Sequence, residues 1–410
     1  MRRTLGARCR PLAGLTRRQV IYSAARQQRR NESTIIGSDA SADEQSKVAT
    51  EQKPNVIFSG IQPTGVPHLG NYLGALRQWR KLQDDAKPED ILLFSVVDLH
   101  AITMPQDANA LRLRRREMLA ALLAIGLDPD KGSTIFFQSS VPQHTELMWI
   151  LSCTASMGYL GRMTQWKSKL QINNKAGDLE EAALTKLKLG LFSYPVLQAA
   201  DILVHRATHV PVGDDQRQHL EFARECATNF NHTFKNILVP PETMTTPSPR
   251  IMSLTNPESK MSKSAPNHRS RIVITAPPNE IRTRIMSAVT DIHNAVTYDP
   301  ETRPGVANLL ELLSQCGSAQ GTPPRRLSPN ELAVQLSGAK LKDLKELVAE
   351  AVCVELHGVR DRHDELLDRK GGKWLDEIEA ECAEVARRNA EETMRMVRDA
   401  VGLGPAARLT

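Results

Sequence analysis

The sequence lacks an uninterrupted apolar run of about eighteen residues, the length that a membrane-spanning helix requires. The apolar stretch at 118–127 is too short, so we predict no membrane span. The six cysteines show no C-x-x-C spacing, which argues against a zinc site and against a disulfide framework. We therefore expect free thiols in a reducing compartment and no metal site built from protein ligands.

Acidic residues and lysine are absent from residues 1–31, where nine arginines occur. Such an acid-free segment without a long apolar stretch is typical of a mitochondrial transit peptide, and the alternative is a disordered basic arm that contacts nucleic acid. We favour a transit peptide and disordered linker over residues 1–53, because the acid-free composition ends abruptly at Glu32 and a polar stretch follows. Since these arginines exceed the net charge of +6, the rest of the chain is slightly acidic, and nucleic acid would have to bind local basic patches.

Residues 56–74 (VIFSGIQPTGVPHLGNYLG) change from a short apolar run to a turn rich in Gly and Pro, and a helical pattern then begins near His68. This order predicts a strand, a loop and a helix. Gly60, Gly65 and Gly70 allow close backbone approach, and the first N–H groups of the helix attract anions. The glycine spacing matches neither G-x-G-x-x-G nor the P-loop motif, so we predict a nucleotide loop of another kind.

The run ILLFSVVDLHAIT (91–103) has the continuous apolar character of a strand that is buried on both faces. Asp98, His100 and Thr103 lie at its C-terminal end, where open α/β sheets bind ligands. A helical stretch and a second apolar strand at 133–140 follow. The alternation predicts an α/β fold with a doubly wound parallel sheet.

Asp201 is a charged residue inside the otherwise apolar helical segment YPVLQAADIL (194–203). A lone buried carboxylate is costly unless a hydrogen-bond donor reaches it. The donor could be an N–H group of a ligand, a backbone N–H or the nearby Arg206, and the residues alone leave these alternatives open.

Three further segments carry groups suited to ribose or phosphate. VPVGDDQ (210–216) predicts a strand, a glycine turn and a helix, where Asp214 and Asp215 can accept ribose hydroxyls or simply cap the helix, two roles that are compatible. KMSKS (260–264) places two lysines in a loop that can follow developing phosphate charge, although a solvated turn is the simpler interpretation of such a pentapeptide. The basic, aromatic segment YLGRMTQWKSK (159–169) could bind phosphate or RNA, or it could form a solvated helix face.

After Pro266 the composition becomes rich in Leu, Ala, Glu, Lys and Arg, and apolar residues recur at steps of three and four over 278–312 and 339–401. This periodicity predicts an α-helical domain, with a Pro/Gly/Ser loop at 315–330. Four arginines near the C-terminus either contact an RNA stem or form an exposed face paired with glutamates. They are Arg387, Arg388, Arg395 and Arg398, with Glu384 and Glu391 as the partners.

Several of these motifs together resemble one family. HLGN (68–71) resembles the HIGH signature of the class I aminoacyl-tRNA synthetases, with Asn71 in place of the second histidine. The chain is similar to the tryptophanyl-tRNA synthetases over about residues 54–402. The similar segments are SGIQPTGVPHLGNYLGAL, AADIL, VPVGDDQ and KMSKS, which follows RIMSL. The resemblance implies a Rossmann-like catalytic domain with a helical insertion (54–265), an α-helical anticodon-binding domain (266–402) and a tail (403–410).

The activity that the resemblance implies is that of a tryptophan–tRNA ligase. Such an enzyme activates L-tryptophan with ATP, giving tryptophanyl-adenylate and diphosphate, and then charges tRNA(Trp), here in the mitochondrial matrix. Mg²⁺ accompanies ATP, and family members are homodimers. No residue acts as a nucleophile, so catalysis is positioning and charge stabilisation. The alternatives are a tyrosyl-tRNA synthetase with the same fold and a non-catalytic RNA-binding protein on a synthetase scaffold.

The resemblance also assigns residues to sites. It gives phosphate binding to Lys167 and, as the catalytic set, to His68, Asn71, Lys260 and Lys263. The chain departs from the family at Gln198 and Ala265, where relatives often have Met and Asp. The ATP site comprises Gln62, Pro63, Thr64, His68, Leu69, Gly70, Asn71, Gly213, Asp214, Asp215, Ile251, Lys260, Met261, Ser262, Lys263 and Ser264. The amino-acid pocket comprises Phe58, His100, Tyr194, Gln198, Asp201 and Gln216.

Overall fold

A parallel sheet forms the centre of the N-terminal half of the fold. The structure, a computed structural model, describes residues 54–163, 187–213, 216–245, 250–263, 265–316 and 327–404. Within these ranges five parallel strands lie in the order β3-β2-β1-β4-β5, which confirms the predicted α/β fold. The order reverses between β1 and β4, and the crevice at the carboxyl ends of these strands is where such sheets bind ligands. The strands are β1 (Val56–Ile61), β2 (Ile91–Val96), β3 (Ser133–Phe137), β4 (His209–Val212) and β5 (Glu242–Thr245).

Helices cover both faces of the sheet and continue towards the C-terminus. The first, α1, begins with Leu69–Asn71, widens to a π-helical turn at Tyr72–Leu76 and continues as Arg77–Asp85. In the described ranges, no helix is both long enough and apolar enough to cross a membrane. The others are α2 (Asp98–Ala101), α3 (Ala108–Ala124), α4 (Gln143–Ser152), α5 (Met157–Arg162), α6 (Leu189–Leu203), α7 (Arg217–Thr233), α8 (Pro278–Met286), α9 (Pro304–Cys316), α10 (Pro329–Gln335), α11 (Leu341–Glu355), α12 (Val359–Asp368) and α13 (Lys373–Ala400).

An apolar core lies on each side of the sheet. On one side Trp79 of α1 stacks on Phe94 of β2 with ring centroids 4.7 Å apart, and this core continues into α9 and α11. On the other side Phe136 of β3 packs among residues of α4, α6 and α7. The last helix, α13, adds Ala386 and Met394 to this second core. Helices from the C-terminal part of the chain therefore pack on both faces of the sheet.

The second strand is shorter than the sequence indicates. The apolar run 91–103 predicts a strand with polar residues at its end, but β2 stops at Val96 and α2 follows. The reason is the buried Asp98, whose carboxylate accepts from the backbone N–H and the hydroxyl of Ser139 and lies 3.0 Å from Arg115. These bonds tie the end of β2 to the turn after β3.

The helical pattern over 278–312 is interrupted in the structure. No helix forms between Met286 and Pro304, although the apolar spacing predicts one. Arg303 organises this connection, because its guanidinium binds both carboxylate oxygens of Asp291 at 2.8 Å. The same two side chains also bind the backbone N–H and carbonyl of His293, and bonds from side chains to the backbone compete with helical bonds and cannot be seen in apolar periodicity. The sequence also did not predict β5, whose polar residues show no apolar alternation.

Arg398 fixes the last helix to α4. Its guanidinium donates to both carboxylate oxygens of Glu146 at 2.7 and 2.6 Å, and it also binds Glu391. We expect Arg398→Met to lower the free energy of unfolding by about 1–2 kcal/mol, because a bidentate ion pair at a half-buried site stabilises the fold more than an exposed ion pair does. The matched control is Asp399→Asn, whose partner Lys235 lies 3.4 Å away in a largely exposed pair, and there we expect less than about 0.5 kcal/mol. Urea unfolding of both variants measures the difference, and equal losses would contradict the prediction.

Candidate active site

The loop after β1 ends at a histidine that caps α1. His68 has extended backbone angles (φ −95°, ψ 167°), and its Nδ1 accepts from the Asn71 N–H at 3.2 Å. The Oδ1 of Asn71 accepts in return from the His68 N–H at 3.2 Å, which completes a capping box. Because Nδ1 is an acceptor, the proton of a neutral His68 ring lies on Nε2. One helix N-terminus thus carries an imidazole N–H and an amide NH₂ as donors.

The KMSKS segment meets this loop in space. The Nζ of Lys263 donates to the backbone carbonyls of Thr64 at 3.2 Å and Gly65 at 2.7 Å. Gly65 has a φ of +85°, a conformation in which a residue with a Cβ is strained. Further along the chain, the carbonyl of Ile272 accepts from the Leu69 N–H at 2.7 Å. The early motif and the late lysine therefore belong to one site, although the sequence separates them widely.

The rest of KMSKS is held by backbone pairing with RIMSL. The N–H of Met261 donates to the carbonyl of Ile251 at 3.0 Å, and both side chains are buried. A Cβ added at Gly70 would lie 3.6 Å from the Cβ of Met261, so the lysine loop packs closely on the start of α1. Lys260 is exposed, and Ser262 is half-buried. The apolar members of the predicted ATP site thus shape the loop, while its lysines supply the charge.

Burial sets the charge of the groups in this site. Desolvation, with the nearby cations Lys263 and Arg271, lowers the pKa of His68 to about 4. Desolvation also lowers the pKa of Lys263 to about 8, against the raising effect of Glu117. At pH 7 His68 is therefore neutral and Lys263 is mostly protonated. The site offers a neutral N–H donor and a cation to an anionic ligand.

The lowered pKa of His68 makes folding stability depend on pH. The unfolded ring titrates near 6.5, whereas the folded ring stays neutral down to about 4. Between these values only the unfolded state binds the proton, so this group alone lowers stability on acidification by up to about 3 kcal/mol. We expect His68→Asn, which keeps a capping oxygen but does not titrate, to flatten the loss of unfolding free energy between pH 6.5 and 4. Denaturant titrations across this window measure it, and parallel curves for the two proteins would refute it.

Asp201 is buried, with 1% of its surface exposed, and three side chains bind its carboxylate. His144 Nδ1 lies 2.6 Å from Oδ1, His100 Nε2 lies 2.8 Å from Oδ2, and Gln138 Nε2 lies 2.7 and 2.9 Å from the two oxygens. Desolvation opposes ionisation, but the bonds from His100 and His144 prevail and hold the pKa of Asp201 well below its usual range. Arg206, one of the predicted donors, is exposed and follows α6 with a φ of 50°. The carboxylate is therefore an ionised acceptor held by side chains.

Residues of α6 and α7 stand beside this carboxylate. The hydroxyl of Tyr194 lies 2.8 Å from Nε2 of His219, and burial raises the pKa of Tyr194 above its usual range. The Nε2 of Gln198 donates to Oε1 of Gln216 at 3.2 Å. The ring of His100 packs edge-on against Tyr194, with centroids 6.1 Å apart. Positions 194 and 198 are one helical turn apart, so α6 presents both side chains on the same face.

Some of the remaining predicted site residues lie near the crevice at the carboxyl ends of the strands, and the others fall outside the residues that the structure describes. Gln62 is half-buried, Pro63 is buried, and the exposed Gly213 directly follows β4 at the carboxyl edge next to β1. Phe58 stacks on His205 with centroids 5.7 Å apart, so it contacts a histidine rather than the Asp201 carboxylate itself. The predicted residues outside the described ranges are Lys167, Asp214, Asp215 and Ser264.

Sequence reasoning missed most of the side chains that hold Asp201. Gln138 directly follows β3, so the same rule that selected His100 at the carboxyl edge could have found it. His144 and His205 lie in or beside apolar helices with no recognisable spacing between them. No sequence signal connected them, because their meeting depends on tertiary packing.

Comparison with known proteins identifies the class. A family profile described as class I tRNA synthetases (W and Y) matches residues 50–354, and the chain belongs to this family. The mitochondrial tryptophan–tRNA ligase of Schizosaccharomyces pombe is 43% identical over 354 residues, covering 85% of this chain and 95% of that protein. Its counterpart in Saccharomyces cerevisiae is 46% identical over 319 residues, covering 76% and 82%. The structure of tryptophanyl-tRNA synthetase from Campylobacter jejuni, complexed with ADP and tryptophan, is similar with a TM-score of 0.67 and 30% identity, over 85% of this chain and all (100%) of that one.

Proposed function

We propose that the chain is a mitochondrial tryptophan–tRNA ligase. It activates L-tryptophan with ATP to tryptophanyl-adenylate and diphosphate, and it then transfers the tryptophanyl group to the 3′ ribose of tRNA(Trp). The observation that carries this proposal is the contact of Lys263 with the loop that ends in the His68 capping box. The relatives named above carry the same activity in their names, and the Campylobacter protein binds ADP and tryptophan.

ATP would bind with its phosphates over the capping box. The Nε2–H of His68 and the amide of Asn71 donate to phosphate oxygens, and the helix N-terminus adds positive potential. The tryptophan carboxylate attacks the α-phosphorus, and the bond to the bridging oxygen of diphosphate breaks. Lys263 leaves the loop carbonyls and follows the negative charge that develops on that oxygen, assisted by the exposed Lys260. Mg²⁺ enters as part of the ATP substrate, while residues 62–64 and 213–215 hold the nucleoside.

The indole N–H of tryptophan would bind the Asp201 carboxylate. A carboxylate can accept about four hydrogen bonds, and His100, Gln138 and His144 already make four contacts with the carboxylate of Asp201. A ligand donor must therefore replace one of the three. We assign this exchange to His100, because it is 7% exposed whereas Gln138 and His144 are 0% exposed. Tyr194 lies next to the displaced ring and forms part of the pocket wall.

Tryptophan-dependent exchange between ATP and labelled diphosphate tests the proposal. We expect exchange with L-tryptophan and only background exchange with L-tyrosine. Exchange that responds to tyrosine alone would assign the tyrosyl reaction instead. A folded protein that binds tRNA but supports exchange with neither amino acid would favour the non-catalytic RNA-binding alternative.

We infer a homodimer from an exposed apolar surface on three adjoining helices. Trp149 of α4 is 72% exposed, Met157 of α5 is 68% exposed and Leu189 of α6 is 78% exposed. α6 packs on both α4 and α5, so these side chains lie on neighbouring elements. Large apolar side chains grouped in this way commonly mark protein interfaces. Sedimentation velocity should show a dimer, and Trp149→Glu should shift it towards monomer.

We further propose that residues 266–402 bind the anticodon stem and that residues 1–53 direct the chain to the mitochondrial matrix. Arg395 is exposed on α13 and is the arginine of that helix best placed for RNA, because Arg387 and Arg388 pair with Glu384 and Arg398 is occupied by glutamates. Reversing the charge of Arg395 should raise the KM for tRNA without changing exchange. Import into isolated mitochondria should fail when residues 1–53 are deleted.

A further inference from the structure

A chain of contacting polar side chains runs from the buried Asp201 to the half-buried Asn389 of α13. His144, whose Nδ1 binds Asp201, has its Nε2 3.2 Å from the Nε2 of His205. The Nδ1 of His205 lies 2.7 Å from Oδ1 of Asn389 on α13. His144 is 0% exposed and His205 is 2% exposed, whereas Asn389 is half-buried at the outer end of the chain. Two phenylalanine rings pack on His205 with centroids at 5.7 Å and enclose the chain in apolar surroundings.

The direction of each hydrogen bond follows from what each atom can do. An ionised carboxylate and an amide oxygen only accept, so Nδ1 of His144 and Nδ1 of His205 both carry protons. Burial and the nearby His144 lower the pKa of His205 to about 3, so its ring is neutral. Nδ1 of His144 donates to Asp201, while the other side of the His144 ring lies against His205, which Asn389 holds in turn.

The sequence of α13 explains how the short side chain of Asn389 reaches the buried His205. Ala383, Ala386 and Ala390 are all 0% exposed and form the inward face of the helix. Small residues at these spacings let the helix backbone approach closely. Asn389 lies beside this alanine face, so its short side chain is long enough for the amide oxygen to reach His205.

We propose that His144, His205 and Asn389 are positioning residues that hold Asp201 for the indole N–H. The inference rests on the proposed function and deepens it. Asn389 fixes the tautomer and the orientation of the His205 ring, which packs against the His144 ring. Without the amide oxygen, His205 loses its partner at Nδ1, and the His144 ring that donates to Oδ1 of Asp201 loses its support. A residue of the C-terminal helix thereby sets the affinity for the amino acid.

Kinetics of the full chain in the exchange assay test this inference. Asn389→Leu keeps the volume but removes the acceptor, and we expect it to raise the KM for tryptophan by about tenfold. The kcat and the KM for ATP should stay at the wild-type values, because neither depends on Asp201. Asn389→Asp restores an oxygen acceptor for the Nδ1 proton of His205, so it should return the KM for tryptophan to within about twofold of wild type.

Two further variants separate positioning from simple packing. Arg398→Met removes a bond between α13 and α4 that does not involve His205, and it should lower stability without changing the KM for tryptophan. His205→Phe should raise that KM as Asn389→Leu does, and it serves if the leucine variant does not fold. A wild-type KM in either folded variant overturns the inference, as does an equal rise in Asn389→Leu and Asn389→Asp. A wild-type chain without tryptophan-dependent exchange would instead refute the proposed function.

Discussion

Lys263→Ala is expected to lower the kcat of tryptophan-dependent exchange by about 100- to 1,000-fold, with little effect on the KM for tryptophan. The lysine is half-buried, and its Nζ already contacts the loop that leads to the His68 donor. Its charge matters most where negative charge grows during bond breaking, so the loss falls on the transition state rather than on substrate binding. Steady-state exchange with varied ATP and varied tryptophan separates the two effects.

Two comparisons make this prediction specific. Lys263→Arg keeps the charge but not the compact ammonium, so it should recover only part of the activity. Lys342→Ala removes a lysine that is 74% exposed on α11 and pairs with Glu346, and it should leave exchange unchanged. If Lys263→Ala exchanges at the wild-type rate, the lysine has no part in ATP activation, whatever the enzyme class.

Asp201→Asn is expected to raise the KM for tryptophan by about 1,000-fold or more. The new amide places N–H₂ where two histidines and Gln138 also donate, so at least one buried donor loses its acceptor. The same change removes the negative charge of the group that is proposed to accept the indole N–H. Isothermal titration with tryptophan, together with the KM in exchange, measures the loss.

A substrate analogue strengthens the test. An amino acid in which sulfur replaces the indole N–H should bind the wild-type protein far more weakly than tryptophan, while Asp201→Asn should discriminate little between the two. The matched control is Asp291→Asn, which removes a carboxylate paired with Arg303 in the connection before α9. That variant should be less stable, yet its KM for tryptophan should be unchanged. Strong discrimination by Asp201→Asn would show that another group recognises the indole nitrogen.

Local patterns predicted much of this fold. Burial in a sheet or on one helix face produces apolar residues at regular spacings in the sequence. These spacings predicted β1, β2 and β3 and the helices of the C-terminal part. The short polar strand β5 and the Arg303-centred connection show no such spacings. Their conformation depends on partners that only the folded chain supplies.

The site divides in the same way. His68 and Asn71 are neighbours on one helical turn, so a short motif could reveal them, and Asp201 stood out as a charge in an apolar helix. The side chains that hold Asp201 come from α2, the turn after β3 and α4, and no local pattern encodes that meeting. Asn389 in particular reads as an ordinary polar residue of an amphipathic helix.

The position of α13 also has a consequence for how the chain acquires its fold. Its buried face shares a core with Phe58 of β1 and Leu93 of β2, so the first strands of the sheet are covered by a helix that is made last. Contacts between such distant segments form slowly. While a ribosome is still elongating the chain, the part of this core that α13 covers stays open to chaperones and to aggregation. Premature termination before α13 should therefore yield insoluble protein rather than a smaller active enzyme.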